Sequence, residues 1–345
     1  MTAESPSPLQ IGRLAPSLTG RMHLGNVYAA LAAWLDARKV GGMLRLRIED
    51  IDTYRVVSDA DSWIMDDLDW LGMDWDGPAA YQSRRLTSYD AMFRWFMTQH
   101  LPSGEPLLYP CFCSRADIRA ASAPNEGDGF SRYPGTCRQI GDAERRRRLD
   151  AGDRHSWRIA VPRSDDDSDD LVRFHDEIFG PQAFSLSRQL GDVIIRRSDG
   201  VYAYQFATAV DDWSMGVSRI VRGRDLLRST AIQLWIQRHC QESGQSHDAA
   251  WRNKTMGAIR RQPFFAHLPL IDGSDGRRMA KRFNSLDMGA LRASGTRPQE
   301  VIGRCAWLLG VLPEATPVEA KDLIGAFSFA ALHEDREDRI LDAEM

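Results

Sequence analysis

Lysine is the scarce residue of this chain. Of 44 basic side chains in 345 residues, only four are lysines: Lys39, Lys254, Lys281 and Lys321. A lysine set in a chemically plausible place therefore draws attention. Cysteine is sparse as well. Five cysteines, an odd number, speak against a disulfide framework and for a reducing, cytoplasmic setting. No run approaches the roughly 18 apolar residues of a membrane helix. The first ten residues, MTAESPSPLQ, lack the basic region and apolar core of a secretory signal. A global excess of positive charge is missing too. The formal net charge is −4, so any RNA-binding surface has to be a local patch.

What is present is organised around residues 11–26, IGRLAPSLTGRMHLGN. Leu9 to Ala15 reads as a buried strand, broken by Pro16, Ser17, Thr19 and Gly20. A helical pattern then runs through Leu24, Val27, Tyr28, Leu31, Trp34 and Leu35. Strand, loop and helix make the first half of a nucleotide-binding βαβ unit. Free N–H groups and the dipole at such a helix start favour phosphate. His23 and Asn26 can donate hydrogen bonds there, and Gly25 lets a ring lie against the backbone.

Further along, MLRLRI (43–48) alternates apolar and basic residues, as a half-buried strand would, and ends in Glu49, Asp50 and Asp52. Glu49 is placed either to meet a substrate ammonium or to cap the next helix, near Ser58. Asp50 and Asp52 read as caps or ion-pair partners. Leu86 to Leu101 reads as an amphipathic helix, Arg145–Arg148 as a solvated basic face or an RNA contact, and Ser164–Asp170 as an acidic loop. Residues 191–197 and 201–210 read as buried, parallel-type segments that place Tyr204 in a ligand crevice. Ser218–Val221 does the same for Arg222. His267–Ile271 is a further buried strand, Pro298–Leu309 a helix, and the remainder a weakly helical tail. After residue 272 a glycine-bearing turn precedes Arg278, Met279, Lys281 and Arg282, closely spaced cations suited to clamp phosphate.

Cys111 and Cys113, followed by Tyr133 and Cys137, are grouped as structural zinc ligands are. A fourth ligand is needed, and Tyr133, His155 and His175 are candidates.

In order and spacing, RLAPSLTG, HLGN, RIEDID, DLDWLGMDWD, YQSRR, YPCFCS, RSDG, VDD, VRGRDLL, HLPLI and RMAKR resemble class I aminoacyl-tRNA synthetases of the glutamyl branch. HLGN (23–26) is similar to that class's HIGH motif and RMAKR (278–282) to its KMSKS loop. The chain ends soon after that loop and carries the Cys-x-Cys…Tyr…Cys pattern, which resembles the truncated glutamyl-queuosine tRNA(Asp) synthetase family. The resemblance implies an α/β class I fold: a Rossmann-type parallel sheet, an inserted α+β zinc-bearing acceptor-type subdomain and a short helical C-terminal part. The corresponding division is 1–105 and 191–285 for the two halves of the catalytic domain, 106–190 for the insert, and 286–345 for a helical segment without an anticodon-binding domain.

The resemblance further implies a ligase that activates L-glutamate with ATP and magnesium, without tRNA. It then transfers the glutamate to queuosine in the anticodon of tRNA(Asp). Arg13, Ala15, Ser17, Glu49, Tyr204 and Arg222 would bind glutamate. His23, Gly25, Asn26, Arg278, Met279 and Lys281 would bind ATP, with His23, Asn26 and Lys281 catalytic. Cys111, Cys113, Tyr133 and Cys137 would hold one structural zinc, with His155 the other candidate for the fourth position. The family implies a monomer. Leu18, Ala280 and Arg278 depart from the family's usual proline, serine and lysine, and the loop from Cys113 to Tyr133 is longer than expected. Alternative readings are a truncated glutamyl-tRNA synthetase charging an acceptor end, a non-catalytic RNA- or glutamate-binding paralogue, and a ligase joining an amino acid to a small amine.

Overall fold

The computed structural model describes residues 9–114, 116–117, 132–163, 169–243, 262–273 and 287–341. Its organising element is the helix α1 (Leu24–Lys39), which follows strand β1 (Ile11–Leu14). His23 caps α1: its Nδ1 accepts from the Asn26 N–H at 3.3 Å, and Asn26 Oδ1 accepts from the His23 N–H at 3.1 Å. This reciprocal pair satisfies two of the helix's orphan donors. Apolar side chains cover most of α1, because it packs on β1, on β2 (Met43–Ile48), on β9 (Arg219–Gly223) and on the helix α8 (Pro298–Leu308).

β1, β2 and the short β3 (Ala80–Tyr81) form a parallel sheet. A second sheet has the order β7-β6-β10-β9, with β6 (Leu171–Asp176), β7 (Gly180–Ser185) and β10 (Phe264–Leu268). β10 runs parallel to both β9 and β6, while β6 and β7 form an antiparallel hairpin. The two sheets meet where the Ser218 N–H donates to Ile11 O at 2.9 Å and the Ile11 N–H to Ser218 Oγ at 2.9 Å. The α/β class with a parallel sheet is thus as expected.

A separate antiparallel sheet has the order β4-β5-β8, from Leu108–Cys111, Ser156–Ile159 and Val193–Arg196. Its apolar face shares one core with helices α3 (Leu86–Met97), α5 (Tyr204–Ser214) and α6 (Leu227–Glu242). The other large core joins α1, β1, β2 and α2 (Ala60–Trp70) to the C-terminal residues. α7 (Met288–Ala293) and α9 (Ala330–Glu334) add Met288, Leu291 and Leu332 to this second core, while α4 (Asp142–Asp150) buries no residue. Strand β6 lies within 106–190 yet extends the second-half sheet, and β8, from beyond 190, completes the antiparallel one.

Several expectations are corrected. Residues 201–210 are not a strand-like segment: Tyr204 opens α5. β8 pairs antiparallel, not parallel. β2 is not half-buried, because Arg45 and Arg47 are as enclosed as the leucines between them. Arg45 is held by Asp76 O at 2.8 Å, and Asp76 is itself fixed by Arg38 and the Leu44 N–H. Asp170 is not part of a solvated acidic loop. It is buried and accepts from Ser185 Oγ and the Ser187 N–H, each at 2.6 Å. The tail ends in a strand, β12 (Arg339–Leu341), parallel to β11 (Ile271–Gly273). No helix among the described residues is long and apolar enough to cross a membrane.

Candidate active site

The carboxyl ends of β1, β2 and β9 and the start of α1 surround three adjoining cavities. The first, of about 230 Å³, is walled by Arg13, Ala15, Asn26, Tyr204 and Arg222. Tyr204 is shared with a second cavity of about 390 Å³, which also takes Ser17, Glu49, Gln82 and Arg197. Asn26 is shared with a third, of about 250 Å³, bordered by His23, Gly25, Gly223 and Ile271. The structure therefore brings together all the described residues singled out in the sequence for amino-acid and nucleotide binding. Arg278, Met279 and Lys281 lie outside the described residues. The flanks of their segment are visible. Ile271 of β11 borders the His23 cavity, Asp287 bridges to His23, and the Met288 N–H donates to Met22 O at 2.8 Å.

At the start of α1, the capping geometry fixes which atoms face outward. His23 Nδ1 is an acceptor for a backbone N–H, so the neutral ring carries its proton on Nε2. Burial pushes the His23 pKa down, which favours this neutral form. Asn26 spends its carbonyl oxygen on the His23 N–H, leaving its NH₂ to donate. A Cβ at Gly25 would sit 3.1 Å from the His23 ring, a tight contact that would press the ring aside by a few tenths of an ångström. Two side-chain donors are thus presented at a helix N-terminus, an arrangement suited to phosphate.

Glu49 follows β2, bridged to Ser17, and its N–H donates to Pro16 O at 3.0 Å. It caps no helix: Asp59, with φ 61°, stands at the start of α2. Asp50 and Asp52 do act as a cap and an ion-pair partner. Asp50 accepts from the Ser83 N–H at 2.8 Å, and Asp52 lies 3.1 Å from Arg197. The Glu49 carboxylate lies 3.2 Å from Arg47 Nη2, with Thr208 Oγ1 at 3.5 Å from the same oxygen. Burial pushes its pKa up against the pull of Arg47.

Beneath these residues lies a charge cluster that the sequence reading missed. Arg47, wholly buried, reaches Asp212 Oδ1 at 2.5 Å, Glu49 at 3.2 Å and Asp211 at 3.7 Å. Asp212 also faces Arg13 Nε at 3.5 Å, and Arg13 donates to Val221 O at 3.2 Å. Burial alone would raise the Asp212 pKa, but Arg47 and Arg13 outweigh it and hold the carboxyl below its ordinary range. Asp211 is closed off by Arg85 at 2.7 Å, Tyr89 at 2.7 Å and Gln82 at 2.9 Å. The available signal was the Asp-Asp pair closing an apolar run, facing an arginine inside an apolar strand.

In the insert, Cys111, Cys113 and Cys137 bring their sulfurs within 4.8 Å of one another and can hold a metal ion. Tyr133 Oη lies 3.4 Å from Cys111 Sγ and 3.5 Å from Cys113 Sγ, and Cys113 and Cys137 sulfurs are 3.4 Å apart. A tetrahedron with bonds of about 2.3 Å has edges of about 3.8 Å, so this donor set fits a zinc ion after shifts of a few tenths of an ångström. The Phe112 N–H points at Cys137 Sγ (3.2 Å), and the Arg158 guanidinium stacks 3.7 Å from the Tyr133 ring centre; both favour an anionic ligand set. His155 is outside the cluster. Its Nδ1 is engaged with Asp153 O at 2.9 Å and its ring packs on Phe112 and Trp157. His175, on β6, belongs to another sheet. The arginine run sits on α4, where Arg145, Arg147 and Arg148 pair with Asp142, Glu144 and Asp153.

Comparison with known proteins fits this geometry. The family model described as tRNA synthetases class I (E and Q), catalytic domain, matches residues 11–327. The chain belongs to this family. It is similar to the glutamyl-Q tRNA(Asp) synthetase of Nitratidesulfovibrio vulgaris, 40% identical over 330 residues and covering 93% of both chains. The protein of the same name from Symbiobacterium thermophilum is 40% identical over 335 residues, again with 93% of each covered. Among solved structures, the glutamate-tRNA synthetase of Elizabethkingia anophelis superposes with a TM-score of 0.74 at 26% identity, covering 98% of this chain and 69% of that one.

For a class I synthetase, a ligase, the buried cluster has an energetic consequence. Removing Arg47 leaves three carboxylates without their shared cation. Arg47→Met should cost about 3–5 kcal/mol, the range for breaking a buried ion pair. Denaturant unfolding followed by circular dichroism measures this, and a loss below about 1 kcal/mol would contradict the shared-cation role.

Proposed function

We propose that the chain activates L-glutamate with ATP in the absence of RNA. It then transfers the glutamyl group to queuosine in the anticodon of tRNA(Asp). The observation that carries this reading is the set of charges around Tyr204, which lines both of the first two cavities: Arg13 and Arg222 from the first and Glu49 from the second. Glutamate brings two carboxylates and one ammonium. Arg13 and Arg222 match the carboxylates, Glu49 the ammonium, and Tyr204 adds a hydroxyl. Each charge-assisted hydrogen bond is worth about 1.5–3 kcal/mol. The names of the similar proteins above supply the acceptor, queuosine-bearing tRNA(Asp).

In this reading Ala15 and Ser17 line the amino-acid site, and His23 Nε2–H and the Asn26 NH₂ hold the ATP phosphates. The ATP enters as its magnesium complex. A glutamate α-carboxylate oxygen attacks the α-phosphorus in line, and the bond to pyrophosphate breaks. Lys281, with Arg278 and Met279 on the segment whose flanks border His23, offsets charge on the leaving group. A hydroxyl of the queuosine cyclopentenediol then attacks the glutamyl carbonyl, and AMP departs. No nucleophilic side chain is needed; positioning and charge stabilisation do the work. The second cavity opens from the first at Tyr204 and is the place for the acceptor nucleoside. Splayed anticodon bases suit such a recess.

Cys111, Cys113, Tyr133 and Cys137 hold one structural zinc in this account, which pins the insert that approaches RNA. Purified protein should carry one zinc per chain by mass spectrometry, and Cys137→Ser should lose it while glutamate-dependent ATP–pyrophosphate exchange persists. Full zinc content in that variant would remove Cys137 from the ligand set.

The acceptor is tested with labelled glutamate, ATP and magnesium. The RNAs are tRNA(Asp) with queuosine, the same tRNA without it, and tRNA(Glu). Label should appear on the queuosine form alone. Label on tRNA(Glu) would make the chain a truncated charging enzyme and overturn the proposed acceptor.

A further inference from the structure

The three buried arginines of the site are not held alike. Arg47 faces three carboxylates, and Arg13 faces Asp212. Arg222 is as buried, at 6% exposure, yet forms no ion pair among the described residues. Its Nε–H donates to His267 Nε2 at 3.1 Å and its Nη2 to Thr230 Oγ1 at 2.8 Å. Its Nη1 has no hydrogen-bond partner among the described residues, and the residue lines the first cavity.

His267 can accept from Arg222 only in one tautomer. That tautomer is imposed from the other side. His267 Nδ1 lies 2.6 Å from Asp176 Oδ2, and a carboxylate can only accept, so the proton sits on Nδ1. Nε2 is then a bare lone pair facing Arg222. The backbone sets this arrangement: His267 and Arg222 are direct partners in the parallel ladder of β10 and β9, and β6, which ends at Asp176, lies on the other side of β10. Asp176 is itself fixed by the N–H groups of Ile178 and Phe179 at 3.0 and 2.9 Å. Thr230 Oγ1 lies 3.0 Å from the same Nε2, so one hydroxyl and one imidazole together hold the Nε–Nη2 edge of the guanidinium.

We infer that His267 and Thr230 are positioning residues that hold the Arg222 guanidinium by neutral acceptors alone, so that its charge is left for the side-chain carboxylate of the amino acid and glutamine is rejected. This rests on the glutamate reading above. A carboxylate in the place of His267 would aim Arg222 equally well but would neutralise it before substrate arrives. A neutral acceptor aims it without doing so. Glutamate then supplies the missing anion, whereas the neutral amide of glutamine leaves a buried cation uncompensated. Burial outweighs Asp176 and lowers the His267 pKa to about 4, so the ring stays neutral at physiological pH.

The test is ATP–pyrophosphate exchange without RNA, with glutamate and with glutamine, on the full chain. The variants form two pairs, one losing the acceptor and one keeping it: His267→Leu with His267→Gln, and Thr230→Val with Thr230→Ser. His267→Leu should raise the KM for glutamate by about tenfold or more, as for a hydrogen bond to a charged group, and Thr230→Val by about three- to tenfold, as for an ordinary hydrogen bond. The ratio of kcat/KM for glutamate over glutamine should fall in step, while the KM for ATP holds. The Gln and Ser variants should restore most of the loss. Should His267→Leu not fold, the threonine pair carries the same comparison. Wild-type exchange with glutamate but an unchanged glutamate KM in Thr230→Val would overturn the inference and leave the glutamate reading standing. Equal losses for glutamate and ATP, or no rescue by the conservative variants, would reduce these residues to structural ones and also overturn it. Absence of glutamate-dependent exchange in the wild-type chain would overturn both.

Discussion

The amino-acid site depends on one buried cation. Arg47 sits with no solvent exposure on a strand whose other buried residues are Leu44, Arg45, Leu46 and Ile48. A guanidinium there is costly unless its donors are met by acceptors of opposite charge. Asp212, Asp211 and Glu49 meet them, and each ties Arg47 to a different part of the site. Asp212 passes the constraint to Arg13 on β1, Glu49 lines the second cavity, and Asp211 reaches Arg85 and Tyr89 beside the insert. One ion cluster thus fixes β1, β2, α3 and α5 relative to one another. Pairs in the interior keep their geometry because a displaced charge would be left unpaired at a cost of several kcal/mol, about the whole margin of a small domain.

Around this cluster the site divides its labour by charge. Arg47 is matched by three carboxylates and serves structure. Arg13 is shared between Asp212 and the cavity. Arg222 is supported by neutral partners and keeps a free edge. At the start of α1, His23 and Asn26 spend their acceptors on capping the helix, which leaves their donors to face outward. In the proposed reading, capping and phosphate recognition are therefore one device. The same hydrogen bonds that start the helix orient the groups that meet the ligand.

How much of this could be read from sequence follows from how local each feature is. HLGN was legible because its capping bonds span three residues. The cysteine triad was legible through spacing and Tyr133 through the family resemblance, whereas setting His155 outside the cluster needed its hydrogen bond to Asp153. Arg47 was read as an outward-facing basic residue, because alternation on a strand ordinarily means a solvated face. Its principal partner lies 165 residues away, and nothing in the local pattern announces it. The Tyr204 run was taken for a strand-like segment because a short apolar stretch carries no period that separates a buried strand from a buried helix. His267 and Asp176, 91 residues apart, become neighbours only through the parallel crossover between β6 and β10. Rows of residues that chemistry needs were visible; the residues that hold them in place were not, since support comes from distant strands.

The central claim is that a class I synthetase site acts here on an anticodon base. The most direct measurement digests glutamylated tRNA(Asp) with nuclease and locates the added glutamate by mass spectrometry. The account predicts glutamate on the wobble nucleoside, attached to the queuosine cyclopentenediol, with an unmodified 3′-terminal adenosine. Glutamate on that terminal adenosine, with the wobble nucleoside unchanged, would contradict it.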